Sequence, residues 1–121
     1  MEVNNLTIDE ARSAIQQGKT TAVALAESFY SNIKSRDSEI GAYLTLSNQR
    51  ALQQARRIDQ LVAEGKPLPP LGGVPVGIKD VLTTRGVRTT AGSKILDNFI
   101  PAYDSTAVSR LEQAGAVGLK R

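Results

Sequence analysis

The feature that most limits what this chain can fold into is the run at residues 71–80, LGGVPVGIKD. Val74, Val76 and Ile78 alternate with Pro75, Gly77 and Lys79, a period of two that predicts a strand with one fully apolar face turned to a core. The other face carries a proline, a glycine and then Lys79, so nothing bulky crowds the lysine from its N-terminal side. Glycine inside a strand often marks the close approach of another backbone or of a ligand. Two readings of Lys79 stay open at this point. It is a solvated strand end, or a long amine reaching into a cavity, where burial lowers its pKa and supplies a neutral base near neutral pH. The run lacks the glycine spacing and the Lys-Ser/Thr ending of a phosphate-binding loop, and no glycine-rich loop precedes it as in a kinase.

Composition narrows the chemistry. There is no histidine and no cysteine among the 121 residues. A Ser-His-Asp triad, a thiolate nucleophile and a disulfide are therefore out of reach of these residues, and the usual zinc sites are not expected. Lysine, carboxylate and hydroxyl groups remain. No run of about 18 apolar residues occurs, so no membrane span is expected. The polar, acidic opening MEVNNLTIDE does not resemble a signal peptide. Residues 1–65 hold seven basic and eight acidic side chains, and residues 66–121 hold eight and four, so the second half carries about +4. Only 4% of residues are aromatic and no dense basic run appears. Sequence-independent nucleic-acid binding is not supported.

In chain order, Thr7 with Glu10 forms a capping box for a first helix carrying Ile8, Ala11 and Ile15, which Gly18 ends. A second helix starts near Thr20 or Thr21, aligns Leu25, Phe29 and Ile33, and is expected to fade through residues 35–38. Residues 42–46, AYLTL, read as a short β-prone run. Ser47 or Asn48 caps a third helix with Ala51, Ala55, Ile58 and Val62 on one face and Gly65 at its end, while Arg56, Arg57, Asp59 and Glu64 are expected on solvated faces. All five prolines and eight of the ten glycines lie at or beyond position 65, which places a stiff connection, KPLPPLGG, before the lysine strand. Residues 81–103 show little periodicity and form a long loop, and such loops tend to be functional or disordered. Asp104 is the expected N-cap of a last helix ending at Gly115, and residues 116–119 begin another strand. Strand, helix, strand in that order predicts a parallel βαβ crossover.

The stretch LGGVPVGIKDVLTTRGVRTTAGSKILDNFIPAYDSTAVSRLEQAGAV resembles the start of the amidase signature family. Its GIKD strand followed by RTTAGS carries the likeness. The ending KILDNFIPAYDSTAV is similar to the A-subunit group of the tRNA-dependent amidotransferases, and TIDEAR, AYLTL and ALQQARRIDQLV extend the resemblance over nearly the whole chain. The expected fold class is α/β, with N-terminal helices and the first strands of a mixed sheet. Residues 1–65 would form the helical region and residues 66–121 the start of the catalytic sheet, within a single amidase domain.

The resemblance implies a Ser-cisSer-Lys triad in which Lys79 is the lysine, acting through the bridging serine on the nucleophilic one. It places both serines and the oxyanion hole in a glycine- and serine-rich segment beyond the region matched here. Ser93 and Ser105 do not match them. The family continues its strand into a glycine-lysine turn where this chain has Gly118-Leu119-Lys120-Arg121, so the chain is expected to be a fragment carrying one member of the triad. Its two strands would then be central in a sheet, with unpaired edges. The implied substrate is glutamine, the implied partners are the B and C subunits of the amidotransferase, and misacylated tRNA is reached through the complex. No cofactor is expected on this chain, ATP and Mg being used by the partner subunit, and the expected location is cytoplasmic. A stand-alone amidase on small amides and an inactive module that docks the other subunits are the alternatives.

Overall fold

The computed structural model describes residues 3–121. Met1 and Glu2, at the head of the stretch read against a signal peptide, lie outside them. A 3-10 turn, Val3–Asn5, leads into three helices: α1 (Ile8–Gln16), α2 (Ala22–Ile40) and α3 (Asn48–Ala63). The α1 capping box is complete: Glu10 N–H donates to the Thr7 hydroxyl at 3.1 Å and Thr7 N–H to the Glu10 carboxylate at 2.9 Å. Thr21 caps α2 by accepting Ala24 N–H. Asp59, expected on the solvated face of α3, instead accepts Ala22 N–H at 2.7 Å and Val23 N–H at 3.1 Å. A carboxylate there satisfies orphan donors and meets the positive end of the α2 dipole.

Two local expectations are not met. Residues 35–38 do not end α2, which runs to Ile40 and stops at Gly41, in the left-handed region at φ 68. Asp37 then accepts the N–H groups of Ala42 and Tyr43 on its carboxylate. Those two amides are thereby spent on a turn, and residues 42–46 form a loop rather than a strand, with Leu44 and Leu46 exposed. β propensity needs a pleated neighbour to be realised, and this segment has none.

The core lies where α2 packs on α3 and both meet the sheet. Ala22, Ala26, Ala51 and Ala55 are fully buried, and these small side chains let the helices approach closely. Ile15 from α1, Leu25 from α2 and Ile58 from α3 fill the space between, each contributing about 1.5–3 kcal/mol of burial. Gly73 sits among them at φ +81, and a Cβ there would lie 2.5 Å from Ile15 Cδ1 and 3.1 Å from Ala22 Cβ.

β1 (Pro75–Val76) and β2 (Val117–Gly118) pair in parallel, Pro75 opposite Val117 and Val76 opposite Gly118, with α4 (Thr106–Gln113) between them in the chain. The predicted βαβ order is present. The ladder is shorter than the alternation suggests: Val74 and Ile78 are buried, Val76 is half-buried, and Gly77 N–H has no partner among the described residues. The far edge of β2 is not open as expected. Gly118 N–H donates to Gln54 Oε1 at 3.0 Å, the Ser47 hydroxyl donates to the Gly118 carbonyl at 2.8 Å, and the Tyr30 hydroxyl donates to the Leu119 carbonyl at 3.2 Å. Side chains of α2 and α3 and of Ser47, just before α3, seal that edge, which leaves the outer edge of β1 as the one from which the sheet can grow.

The long loop is ordered without periodic structure. It doubles back on itself through Gly86 N–H to Pro101 O, Thr89 N–H to Phe99 O and Ser105 N–H to Thr83 O. Its end corrects one cap. Ser105, not Asp104, caps α4 by accepting Val108 N–H at 3.2 Å, because Asp104 is held by Arg50 and by Arg85 N–H.

Candidate active site around Lys79

Lys79 lies three residues beyond the end of β1, after Gly77 and Ile78. Ile78 anchors the segment in the core at 3% exposure, and Gly118 on β2 admits it: a Cβ on Gly118 would stand 2.7 Å from Ile78 Cδ1. With Ile78 held inward, Lys79 faces the other way, as successive residues of an extended chain do. It lines a cleft of ≈ 580 Å³ between Ala42 and Leu44 of the α2–α3 loop and Val81, Ala91 and Gly92 of the long loop. Lys79 is exposed there. The desolvation invoked from sequence is not supplied by the described residues, and no hydrogen bond or ion pair holds the ammonium among them.

The neighbouring Asp80 points inward and is 7% exposed. Its carboxylate accepts Thr90 N–H at 3.0 Å, a short hydrogen bond from the Thr90 hydroxyl, and Gly92 N–H at 3.4 Å. Its backbone carbonyl accepts Ala91 N–H at 3.1 Å. Burial pushes the Asp80 carboxyl up, but the Thr90 hydroxyl, the two amides and the charge of Lys120 outweigh it and leave the group below its ordinary range. Lys120 is fully buried and donates to the Leu82 carbonyl at 3.1 Å and to the Thr84 hydroxyl at 3.2 Å. Burial lowers its pKa, with Asp80 opposing and Arg50 adding to the shift.

The structure therefore brings Lys79 to a cleft and does not bring Ser93 or Ser105 with it; neither lines the cleft. Ser93 accepts Ile95 N–H within a turn, and Ser105 is a helix cap. Asp80, Thr90 and Lys120 escape a motif search because their partners lie 10 and 36 residues away. The one signal they leave is composition, a hydroxyl pair, Thr89-Thr90, just before Ala91-Gly92.

A second cleft, of ≈ 510 Å³, opens at the N-terminus of α3 and is lined by Arg50, Arg85 and Arg88. Two of these cations are already paired: Arg50 with Asp104 and Glu112, Arg88 with Asp97. The basic excess of the second half is thus partly neutralised where it gathers. Among the described residues no helix is long and apolar enough to cross a membrane, and no group of three or more Asp or Glu side chains is placed to hold a metal ion.

Comparison with known proteins bears directly on this arrangement. The family model described as Amidase matches residues 24–120. The A subunit of glutamyl-tRNA(Gln) amidotransferase from Koribacter versatilis (strain Ellin345) is 60% identical over 117 residues, covering 97% of this chain and 24% of the relative. Its counterpart in Chlamydia abortus is 47% identical over 108 residues, covering 89% of this chain and 22% of the relative. Among solved structures, native peptide amidase from Stenotrophomonas maltophilia superposes with a TM-score of 0.92 at 27% identity, over 99% of this chain and 25% of that one. The chain spans about a quarter of the length of the curated relatives it matches. Helices followed by the first parallel strands of the amidase fold, with Lys79 at a cleft beside them, agree with the family match along the sequence: this chain belongs to the amidase signature family.

Proposed function

We propose that these residues are the N-terminal portion of the glutamine-hydrolysing A subunit of a tRNA-dependent amidotransferase, and that Lys79 is its general base. Residues 1–65 supply the helical layer and residues 66–121 open the catalytic sheet of a single amidase domain. The carrying observation is 60% identity to one such protein along 97% of this chain. The placement of Lys79 on a cleft just beyond β1 supports the role of base.

In this reading a neutral Lys79 amine accepts a proton relayed through a bridging serine from the nucleophilic serine, both supplied by the part of the protein beyond this match. The activated oxygen attacks the side-chain amide carbon of glutamine, ammonia leaves, and water releases glutamate from the acyl-enzyme. Backbone amides hold the oxyanion. Closure of the rest of the domain over the open cleft supplies the desolvation that these residues do not. Ammonia passes to the B subunit, where ATP and Mg activate the misacylated Glu-tRNA(Gln) or Asp-tRNA(Asn), the C subunit completes the complex, and the assembly works in the cytoplasm. A stand-alone amidase on small amides would use the same fold; the gap between 60% identity to the amidotransferase relative and 27% to the peptide amidase favours the first.

The test is a chimera in which the remainder comes from the Koribacter relative. Lys79→Ala should lower glutamine turnover by about a hundredfold to ten-thousandfold, the usual worth of general-base catalysis. Lys79→Arg should fail as well, because a guanidinium stays protonated. Near-normal turnover in the folded arginine variant would remove Lys79 from the role.

A further inference from the structure

We propose that Asp80 is a positioning residue that holds residues 90–92 as one wall of the Lys79 cleft. The inference rests on the reading of Lys79 as the base.

Lys79 and Asp80 are consecutive and both border the cleft, Lys79 exposed in it and Asp80 only 7% exposed, with its carboxylate turned to residues 90–92. Through its carboxylate and its carbonyl, Asp80 receives the backbone N–H of Thr90, Ala91 and Gly92 in succession, as well as the Thr90 hydroxyl. Ala91 and Gly92 are the residues of that turn that line the cleft. Ala91 is held at φ 51, a conformation a non-glycine residue adopts only when its surroundings impose it. Here the Asp80 bonds on either side impose it. The same loop is fastened at its other end by Lys120, through the Leu82 carbonyl and the Thr84 hydroxyl.

Two buried groups of opposite charge therefore grip the loop from below, one at residues 82–84 and one at residues 90–92. The cleft wall is tied to the residue next to the lysine in sequence, so wall and amine move as one unit. An amide in place of the Asp80 carboxylate has one acceptor oxygen and turns N–H donors toward N–H donors. That substitution releases the wall without touching Lys79 or the helical core.

The experiment uses the 121-residue chain with Asp80→Asn, Thr90→Val and Thr90→Ser. Amide exchange is followed at residues 90–92 and across α2 and α3. Acetylation of Lys79 by an N-hydroxysuccinimide ester is followed by mass spectrometry from pH 6 to 10, with exposed Lys34 on α2 as internal reference. Asp80→Asn should speed exchange at Thr90 and Gly92 about tenfold or more, the loss of a charge-assisted hydrogen bond. It should leave α2 and α3 protected and shift the Lys79 acetylation profile relative to Lys34. Thr90→Val should do the same in smaller measure, and Thr90→Ser should restore both readouts. Faster exchange with an unaltered Lys79 profile would make Asp80 a loop staple only and overturn the proposal, as would unaltered exchange. If Asp80→Asn also deprotects α2 and α3, the valine and serine pair decides. Glutamine turnover enters neither readout, so failure of Lys79→Arg to inactivate the chimera would refute the base assignment and leave this outcome to stand separately.

Discussion

Replacing Arg50 by alanine should destabilise the fold by about 2–3 kcal/mol, a size that follows from where its guanidinium goes. Nε and Nη2 reach Glu112 Oε1 at 2.9 and 2.6 Å, Nη2 reaches both Asp104 oxygens at 2.9 and 3.0 Å, and Nη1 reaches the Arg85 carbonyl at 2.7 Å. One side chain thus joins α3 to α4 and to both ends of the long loop. A fully exposed pair would be worth about 0–1 kcal/mol and breaking a fully buried one would cost about 3–5 kcal/mol. These side chains are 22–26% exposed, which puts the loss between those limits. A cation in the first turn of α3 also opposes the helix dipole by about 0.3–1 kcal/mol, and alanine recovers that part. Truncation leaves Asp104 and Glu112 without their shared cation, although Asp104 keeps Arg85 N–H at 2.8 Å. Urea denaturation followed by circular dichroism should show a lower midpoint at unchanged slope. Arg50→Lys should restore less than half, since an ammonium cannot span both carboxylates and the carbonyl in one plane. A loss below about 0.5 kcal/mol, or full recovery by lysine, would show that the network is a surface ornament and refute the reasoning.

Three further outcomes are expected. Gly115→Ala should cost about 2 kcal/mol or more, because a Cβ at φ +93 would lie 2.8 Å from Gly72 Cα and break the approach that precedes β2; a melting temperature within a degree or two of the parent would contradict this. Burial pushes the Tyr30 phenol up to about 12; a folded-state value above the unfolded 10.0 gives stability that is complete below pH 10 and lost as pH rises through 12, about 2–3 kcal/mol, so Tyr30→Phe should flatten that alkaline slope in urea titrations while costing about 1 kcal/mol at pH 7 for the bond to Leu119. The 121-residue chain alone should hydrolyse no glutamine, since Lys79 in its proposed role offers a base and no nucleophile; ammonia release from purified chain that disappears in Lys79→Met would sink that expectation.

Much of the fold was legible because it is local. The Thr7–Glu10 box closes over three residues, Gly41 and Gly65 end their helices through their own backbone freedom, and Ala51, Ala55 and Ile58 mark the buried face of α3 by spacing alone. The GIKD run with its alternation placed Lys79 at the end of a strand; the ladder stops at Val76, and Lys79 lies three residues on, at the cleft. Misreadings occur where a polar group finds a distant partner. Asp59 crosses to the start of α2 and Asp104 leaves its cap to meet Arg50; at residues 42–46 the cause is nearer, Ala42 and Tyr43 giving their amides to Asp37.

By itself, the sequence determined the helical opening, the strand-helix-strand order, the position of Lys79 and the family to which these belong. The tertiary structure decided which edge of β2 is sealed, what stands across from Lys79, and which charges are buried. Periodicity and capping depend on neighbours three or four residues apart, so they are written in the chain. The grip of Asp80 on residue 90 and of Lys120 on residue 84 depends on distances that exist only once the helices have packed and β2 has docked against β1.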